Sequence, residues 1–273
     1  MEVHDLDTWA DFRSVVDDIR KRYGFRLIAE DYREKNAVLF RGLADQEWAL
    51  KTTLERTTDK KLTVDGYMVR ASLVSNEIES VTGRNWGIPD IPELWEEIRQ
   101  RQRQFHTHLP CYDYLVYLRQ HGFPSPLLDW TASPYVAAYF AFCDQRKSER
   151  AVVYAFIEMP GGGKSGIDCA PRISQFGPYV TTDSRHFAQK SWYTTATLWD
   201  KESEKHVFCP HSEVFDLGVE NQDVLIKITI PTSDRARVLE ELDDYNINHY
   251  TLFQTEDALV RALGIREFDL PQT

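Results

Sequence analysis

Apolar positions along this chain follow two regimes, a helical one in the first half and a strand-like one in the second. Trp9, Phe12, Val15, Val16, Ile19 and Tyr23 recur at helical spacing, with Asp7 as the expected N-cap and Gly24 as the stop. The run AVLFR at 37–41 is too short for a helix and rich in strand formers, so it predicts a buried strand that ends on Arg41 and opens onto Gly42. Helical patterns follow over 66–81, 91–104 and 109–120, broken by Gly83, Gly87, Pro89 and Pro110. The segment HGFPSPLLDWTASPYVAAYFAF, 121–142, packs prolyl turns, a short strand and a helix that starts near Ser133 and Pro134.

After residue 150 the pattern changes: AVVYAFI at 151–157 and VLIKITI at 224–230 are β-branched runs of strand length. PGGGK at 160–164 reads as a turn, and 189–199 suits a strand with polar side chains directed into a cleft. Helices are expected over 235–243 and 256–263, with 246–253 between them. With no repeat, low-complexity tract or linker, residues 1–273 predict one α+β domain, a helical front half followed by a mixed or antiparallel β core.

Composition narrows the partners. The chain has 273 residues, 42% hydrophobic and 27% charged, the balance of a folded protein. Its 43 acidic residues exceed 32 basic ones, a net charge of -11, so no general positive field draws it to nucleic acid or anionic lipid. A local basic face around Arg99, Arg101 and Arg103, with Lys51 and Arg56 upstream, stays open. The acidic N-terminus and the lack of any ~20-residue apolar segment predict a cytoplasmic protein with no membrane partner. Cys111, Cys143, Cys169 and Cys209 form no CxxC pair, so reduced thiols are expected.

Candidate chemistry lies in three places. A guanidinium at the end of an apolar strand must be paired or face a cleft, so Arg41 either forms a structural ion pair with a carboxylate such as Asp129 or holds a phosphate or ribose. Thr131 and Ser133 alternate at a strand end that runs into a helix, where Ser133 caps the helix and both hydroxyls could meet a ligand. RHFAQKSWYTT supplies Arg185, Gln189, Ser191 and Tyr193, the last three at a two-residue spacing that would share one strand face. The sets His106, His108, Cys111 and His206, Cys209, His211 contain zinc donors without a standard spacing, and no metal site is assigned. PGGGK lacks the phosphate-loop frame, and a lone His121 near a turn is more often structural than an acid or base.

Phe40-Arg41-Gly42, QHGFPSPLLDWTASPYVAAYFAF and RHFAQKSWYTT together resemble the signature blocks of the FRG domain family over about residues 7–200, with closing strands and helices in 201–273. INHYTLFQTEDALVRAL, 247–263, is similar to the family's closing segment, whereas Ser125-Pro126 stands where the family usually has Thr-Arg. The same order of Arg-Gly, hydroxyl-bearing strand end and polar strand is similar, more distantly, to the three-part motif of mono-ADP-ribosyltransferases. That resemblance implies an ADP-ribosyltransferase-like fold that uses NAD as substrate and transfers ADP-ribose to a macromolecular acceptor, as in a toxin or phage-defence effector; the acidic net charge favours a protein acceptor, or an inhibitory, antitoxin-like protein partner, over a nucleic acid. By the resemblance Arg41, Thr131, Ser133 and Gln189 become catalytic candidates, while Arg41, Gly42, Asp129, Trp130, Ser191 and Tyr193 become NAD-binding ones. The third block carries Gln189 where that motif has Glu, which leaves Glu256 or Asp257 as the expected carboxylate, or else a non-catalytic recognition module for nucleotide or protein.

Overall fold

The computed structural model describes residues 1–270 apart from 30–31, 36, 102–108, 146, 162–163, 165–169 and 220–221, and no side chain of 26–36 or 101. In chain order the strands are β1 (Glu2–Asp5), β2 (Phe25–Ala29), β3 (Tyr32–Lys35), β4 (Val38–Leu43), β5 (Leu128–Thr131), β6 (Arg150–Ile157), β7 (Arg172–Phe176), β8 (Ser191–Asp200), β9 (Lys205–Phe208) and β10 (Val224–Pro231). The helices are α1 (Phe12–Tyr23), α2 (Thr53–Thr57), α3 (Val64–Leu73), α4 (Ser75–Thr82), α5 (Ile91–Arg101), α6 (Tyr112–Gln120), α7 (Pro134–Phe142), α8 (Ser184–Ala188), α9 (His211–Phe215), α10 (Arg235–Asp244), α11 (His249–Phe253) and α12 (Glu256–Phe268). Eight strands form one mixed sheet in the order β1-β10-β6-β4-β5-β8-β7, with β9 also on β8, while β2 and β3 pair separately. Among the described residues, only β1 against β10 is parallel in the large sheet.

The central strand β6 is buried on both faces, which is why its sequence is a continuous apolar run rather than an alternation. Ala151, Val153 and Ala155 join Phe40 and Ile228 in a core beneath α1, α7 and α10, while Val152 and Phe156 join Leu39, Trp130 and Val214 of α9 on the opposite face. A third core gathers α3, α5 and α6 over Phe176 and Tyr193. The α+β expectation stands, with a correction to its layout. Helices crowd between β4 and β5, but β1 to β4 precede them, so sheet and helix interleave along the chain instead of dividing it at the middle.

Local chemistry accounts for the shifted boundaries. The entry segment starts as a 3-10 turn, Trp9–Asp11, so Asp7 caps nothing, while Gly24 stops α1 by donating its N–H to Arg20. The predicted 66–81 helix breaks at Val74 into α3 and α4. RHFA is helical, not extended, so Arg185 and Gln189 belong to α8 and its C-cap and only Ser191 and Tyr193 share the strand. The closing segment 246–253 holds α11, started by an Asn248 capping box. Arg103, His106, His108 and Cys169, together with the middle of PGGGK, lie outside the described residues. At the end of that turn Lys164 sits between Glu158 and Asp223 at 2.8 and 3.1 Å.

Gly42 fixes how α7 lies on the sheet. A Cβ there would stand 1.8 Å from the Ala137 carbonyl oxygen and 2.8 Å from the Ala141 nitrogen, so helix and strand approach as closely as backbones allow. Gly42→Ala should therefore cost about 3 kcal/mol in urea denaturation, because both clashing atoms are backbone and neither can rotate aside. An unchanged midpoint would show that the α7 contact is not fixed by Gly42.

Candidate functional site

Strands β4 and β5 are neighbours in the sheet, yet they bridge at one pair alone, Phe40 with Thr131. On its other side β4 pairs with β6 along its whole length. Beyond the bridge the two strands part, and a cleft of about 360 Å³ opens there. Phe40, Gly42, Asp129, Thr131, Ser191 and Tyr193 lie along it, with α7 on one side and Arg119, Gln120 and Arg185 of α6 and α8 on the other.

Pleat alternation would place Arg41 on the face of Leu39 and Leu43. The parted strands let its side chain tie them together: Nη1 donates to the Asp129 main-chain carbonyl at 2.7 Å and lies 3.6 Å from Asp129 Oδ2. Arg119 Nη2 donates to the same carboxylate oxygen. Burial pulls the Arg41 guanidinium down to about 10, with Asp129 opposing the fall and Arg119 adding to it. Arg185 Nε reaches Gln120 Oε1 at 3.4 Å, whereas its Nη2 is 3.9 Å from Asp183, beyond hydrogen-bond range. Asp183 itself is engaged by Arg84 and His121, each at 2.8 Å.

This leaves unused donors. Among the described residues, Arg41 Nε, Arg119 Nε and Arg185 Nη2 are buried without a hydrogen-bond partner, and the three side chains are only 14, 19 and 20% exposed. The other carboxylate on the cleft, Asp144, is paired with Arg261. Two of the guanidiniums, Arg41 and Arg119, share the Asp129 carboxylate, while the third, Arg185, lies 3.9 Å from an Asp183 already engaged by Arg84 and His121, so the cleft is locally cationic on an acidic chain. It suits a phosphate or carboxylate ligand.

The sequence-predicted residues divide by what their side chains already do. Arg41, Gly42, Asp129, Trp130, Thr131, Gln189, Ser191 and Tyr193 all line the cleft. Ser133 does not: its hydroxyl caps α7, accepting from the Val136 N–H at 3.3 Å. Thr131 Oγ1 donates to the Gln189 carbonyl at 2.6 Å and accepts from the Ser133 N–H at 3.0 Å, so it braces the strand end. Gln189 Nε2 donates to the Leu252 carbonyl at 3.0 Å, tying α11 to the site. Glu256 and Asp257 are a correction. Both are exposed in the first turn of α12, where acidic residues complement the helix dipole, and neither lines the cleft. Sequence reasoning missed Arg119, whose signal was a cation in the last turn of the almost wholly buried helix YDYLVYLRQ, and it missed Trp48, Phe140 and Phe253.

Two buried relays support this floor. Gln120 Nε2 donates to the Tyr193 hydroxyl at 3.2 Å, that hydroxyl to His186 Nδ1 at 3.3 Å, and His186 Nε2 to the Pro178 carbonyl at 2.8 Å, a direction that requires neutral His186. Burial lowers the affinity of His186 for a second proton. Behind Trp130, Thr194 Oγ1 accepts from the indole Nε1 at 2.8 Å and hydrogen-bonds His211 Nε2 at 2.9 Å. Among the described residues no three His, Cys, Asp or Glu side chains converge on a metal position, and His211 of the second candidate set is committed to Thr194.

Burial, reinforced by the nearby charge of Arg41, pushes His211 down to about 3 from its ordinary 6.5. Below 6.5 the unfolded chain binds a proton that the folded chain refuses, so stability present above that value is lost as the pH falls toward 3. Urea midpoints at pH 7 and 5 should show His211 accounting for about 2 kcal/mol of the acid loss, and His211→Gln should lose correspondingly less. Equal losses in the two proteins would contradict a buried neutral His211.

Part of this cleft falls in a stretch that is similar to a known family. The chain matches no curated protein and no solved structure. Residues 36–150 match the family model of the FRG domain, a stretch from β4 through α7 that holds Arg41, Gly42, Arg119, Asp129, Trp130 and Thr131. Arg185, Gln189, Ser191, Tyr193 and Phe253 reach the same cleft from beyond that stretch. The resemblance read from Phe40-Arg41-Gly42 and LLDWTASP therefore holds over residues 36–150, the stretch that matches the FRG domain.

Proposed function

We propose that the cleft between β4 and β5 binds NAD through its diphosphate and that the domain transfers ADP-ribose to a macromolecular acceptor. The observation that carries this reading is the set of three guanidiniums, Arg41, Arg119 and Arg185, each with a buried N–H left over. Planar forks with unused donors are the arrangement that recognises phosphate oxygens, and a partly enclosed site strengthens each charge-assisted hydrogen bond. In the transfer the bond between ribose C1′ and the nicotinamide nitrogen breaks and its electron pair neutralises the pyridinium. The acceptor's lone pair then forms the new bond to C1′ and the acceptor loses a proton. A carboxylate beside the developing ribosyl cation lowers that barrier. Asp129 is the candidate for that position, 36% exposed in the cleft and held on one oxygen by two arginines. A protein acceptor fits the net charge of -11 better than a nucleic acid does.

A second reading, a nucleotide-recognition module without transfer, is favoured by how the other motif groups are spent. Thr131 braces the Gln189 carbonyl and Gln189 anchors Leu252, so neither is a spare catalytic group. Calorimetry with NAD together with an assay of released nicotinamide separates the two. Binding with release supports transfer, binding without release supports the module, and no binding removes both.

Arg41 gives the sharper test. Arg119 keeps Asp129 paired when Arg41 is removed, so Arg41→Ala should lower stability by less than about 1.5 kcal/mol while weakening NAD binding by ~1.5 to 3 kcal/mol. Arg41→Lys keeps the charge but loses the fork, and should bind with intermediate affinity. A stability loss of ~3 to 5 kcal/mol with NAD affinity intact would make Arg41 part of the architecture alone.

A further inference from the structure

The cleft has a second chemistry that the phosphate reading does not use. Trp48 on the loop after β4, Phe140 on α7 and Phe253 on α11 are far apart in sequence and all line it. Phe140 and Phe253 meet edge to face, with centroids 6.0 Å apart and planes at 87°. His249 lies tilted against Phe253, with centroids 4.4 Å apart and planes at 32°. Neither phenylalanine is fully buried, and Trp48 is 44% exposed. The connections among side chains separate this group from the cationic one. Asp129 joins Arg41 to Arg119, and Gln120 joins α6 to Arg185, whereas the phenylalanines contact each other.

We infer that Trp48, Phe140 and Phe253 form a ring-binding subsite of the cleft, which selects a ligand carrying a planar heteroaromatic ring next to its phosphates over a bare phosphate anion. The inference rests on the phosphate role of the arginines given above. Aromatic faces that line a partly open cleft attract flat rings by dispersion and by release of water. A heteroaromatic base stacks on such faces with little regard to its substituents. The Phe140–Phe253 pair and the tilted His249 contact fix these walls before any ligand arrives, so little ordering opposes binding. Gln189 adds to this rigidity, because its hydrogen bond to the Leu252 carbonyl holds α11, and with it Phe253, against the site.

The test titrates the full chain with ADP-ribose, AMP, nicotinamide mononucleotide and inorganic pyrophosphate, for wild type, Trp48→Ala and Phe253→Leu. Phe253→Leu retains bulk in the core edge while removing the ring face. ADP-ribose should bind wild type at least tenfold more tightly than pyrophosphate, and each variant should lose about tenfold for ADP-ribose with pyrophosphate unchanged within twofold. AMP should lose affinity in parallel with ADP-ribose, because adenine is the one heteroaromatic ring that ADP-ribose carries, and AMP binding unchanged in both variants would overturn the ring subsite. Equal wild-type affinity for ADP-ribose and pyrophosphate would overturn the ring subsite and leave the phosphate reading standing. So would variants that bind every probe as wild type does, or that weaken all probes equally. Failure of all four probes to bind wild type would overturn the phosphate reading itself.

Discussion

The architecture of this protein turns on one incomplete ladder. Strand β4 is bound to β6 over six residue pairs but to β5 at a single bridge, Phe40 with Thr131. An antiparallel pair that stops after one bridge leaves main-chain groups that must find other partners or meet solvent. Here the Arg41 side chain takes over, donating to the Asp129 carbonyl where backbone no longer joins the strands. The gap is held open from above as well. α7 cannot slide over it, because Gly42 presses the helix backbone against β4 and Ser133 and Pro134 fix where that helix begins.

Charge follows from this geometry. A guanidinium drawn into the gap is costly unless paired, and Arg119 shares the pairing by engaging the same Asp129 oxygen. Asp129 is shared by two guanidiniums, and the Asp183 near Arg185 is engaged by Arg84 and His121, so among the described residues donors remain over. The neutral relay through Tyr193 and His186 and the neutral His211 behind Trp130 add no countercharge. A protein with net charge -11 therefore concentrates positive charge in its cleft and can select a small anion while its surface repels large polyanions.

Much of this was legible along the chain. AVLFR, AVVYAFI and VLIKITI are strands because β-branched and aromatic runs bounded by turn residues suit buried sheet, and the Ser133-Pro134 helix start followed from capping chemistry alone. Arg41 stood out because a cation ending an apolar strand demands an explanation. What sequence could not supply was convergence. Arg119 is 78 positions from Arg41 and looks like an ordinary cation near a helix C-terminus, and Phe253 lies in a five-residue helix whose placement depends on a hydrogen bond from Gln189. The helical state of RHFA was hidden as well, because period-two polar spacing at Gln189, Ser191 and Tyr193 imitates a strand face across a helix end. Asp129 was legible as a partner for Arg41 and lies in the cleft, whereas Glu256 and Asp257 sit exposed in the first turn of α12 and do not line it.

The central claim is that the gap between β4 and β5 is an anion site built from three arginines. A crystal of the full chain soaked with NAD tests it most directly. The account predicts electron density for the diphosphate between β4 and α6, with phosphate oxygens within hydrogen-bond distance of at least two of Arg41, Arg119 and Arg185. A nucleotide seated elsewhere on the protein, with the Arg119–Asp129 pair undisturbed and no density in the gap, would contradict it.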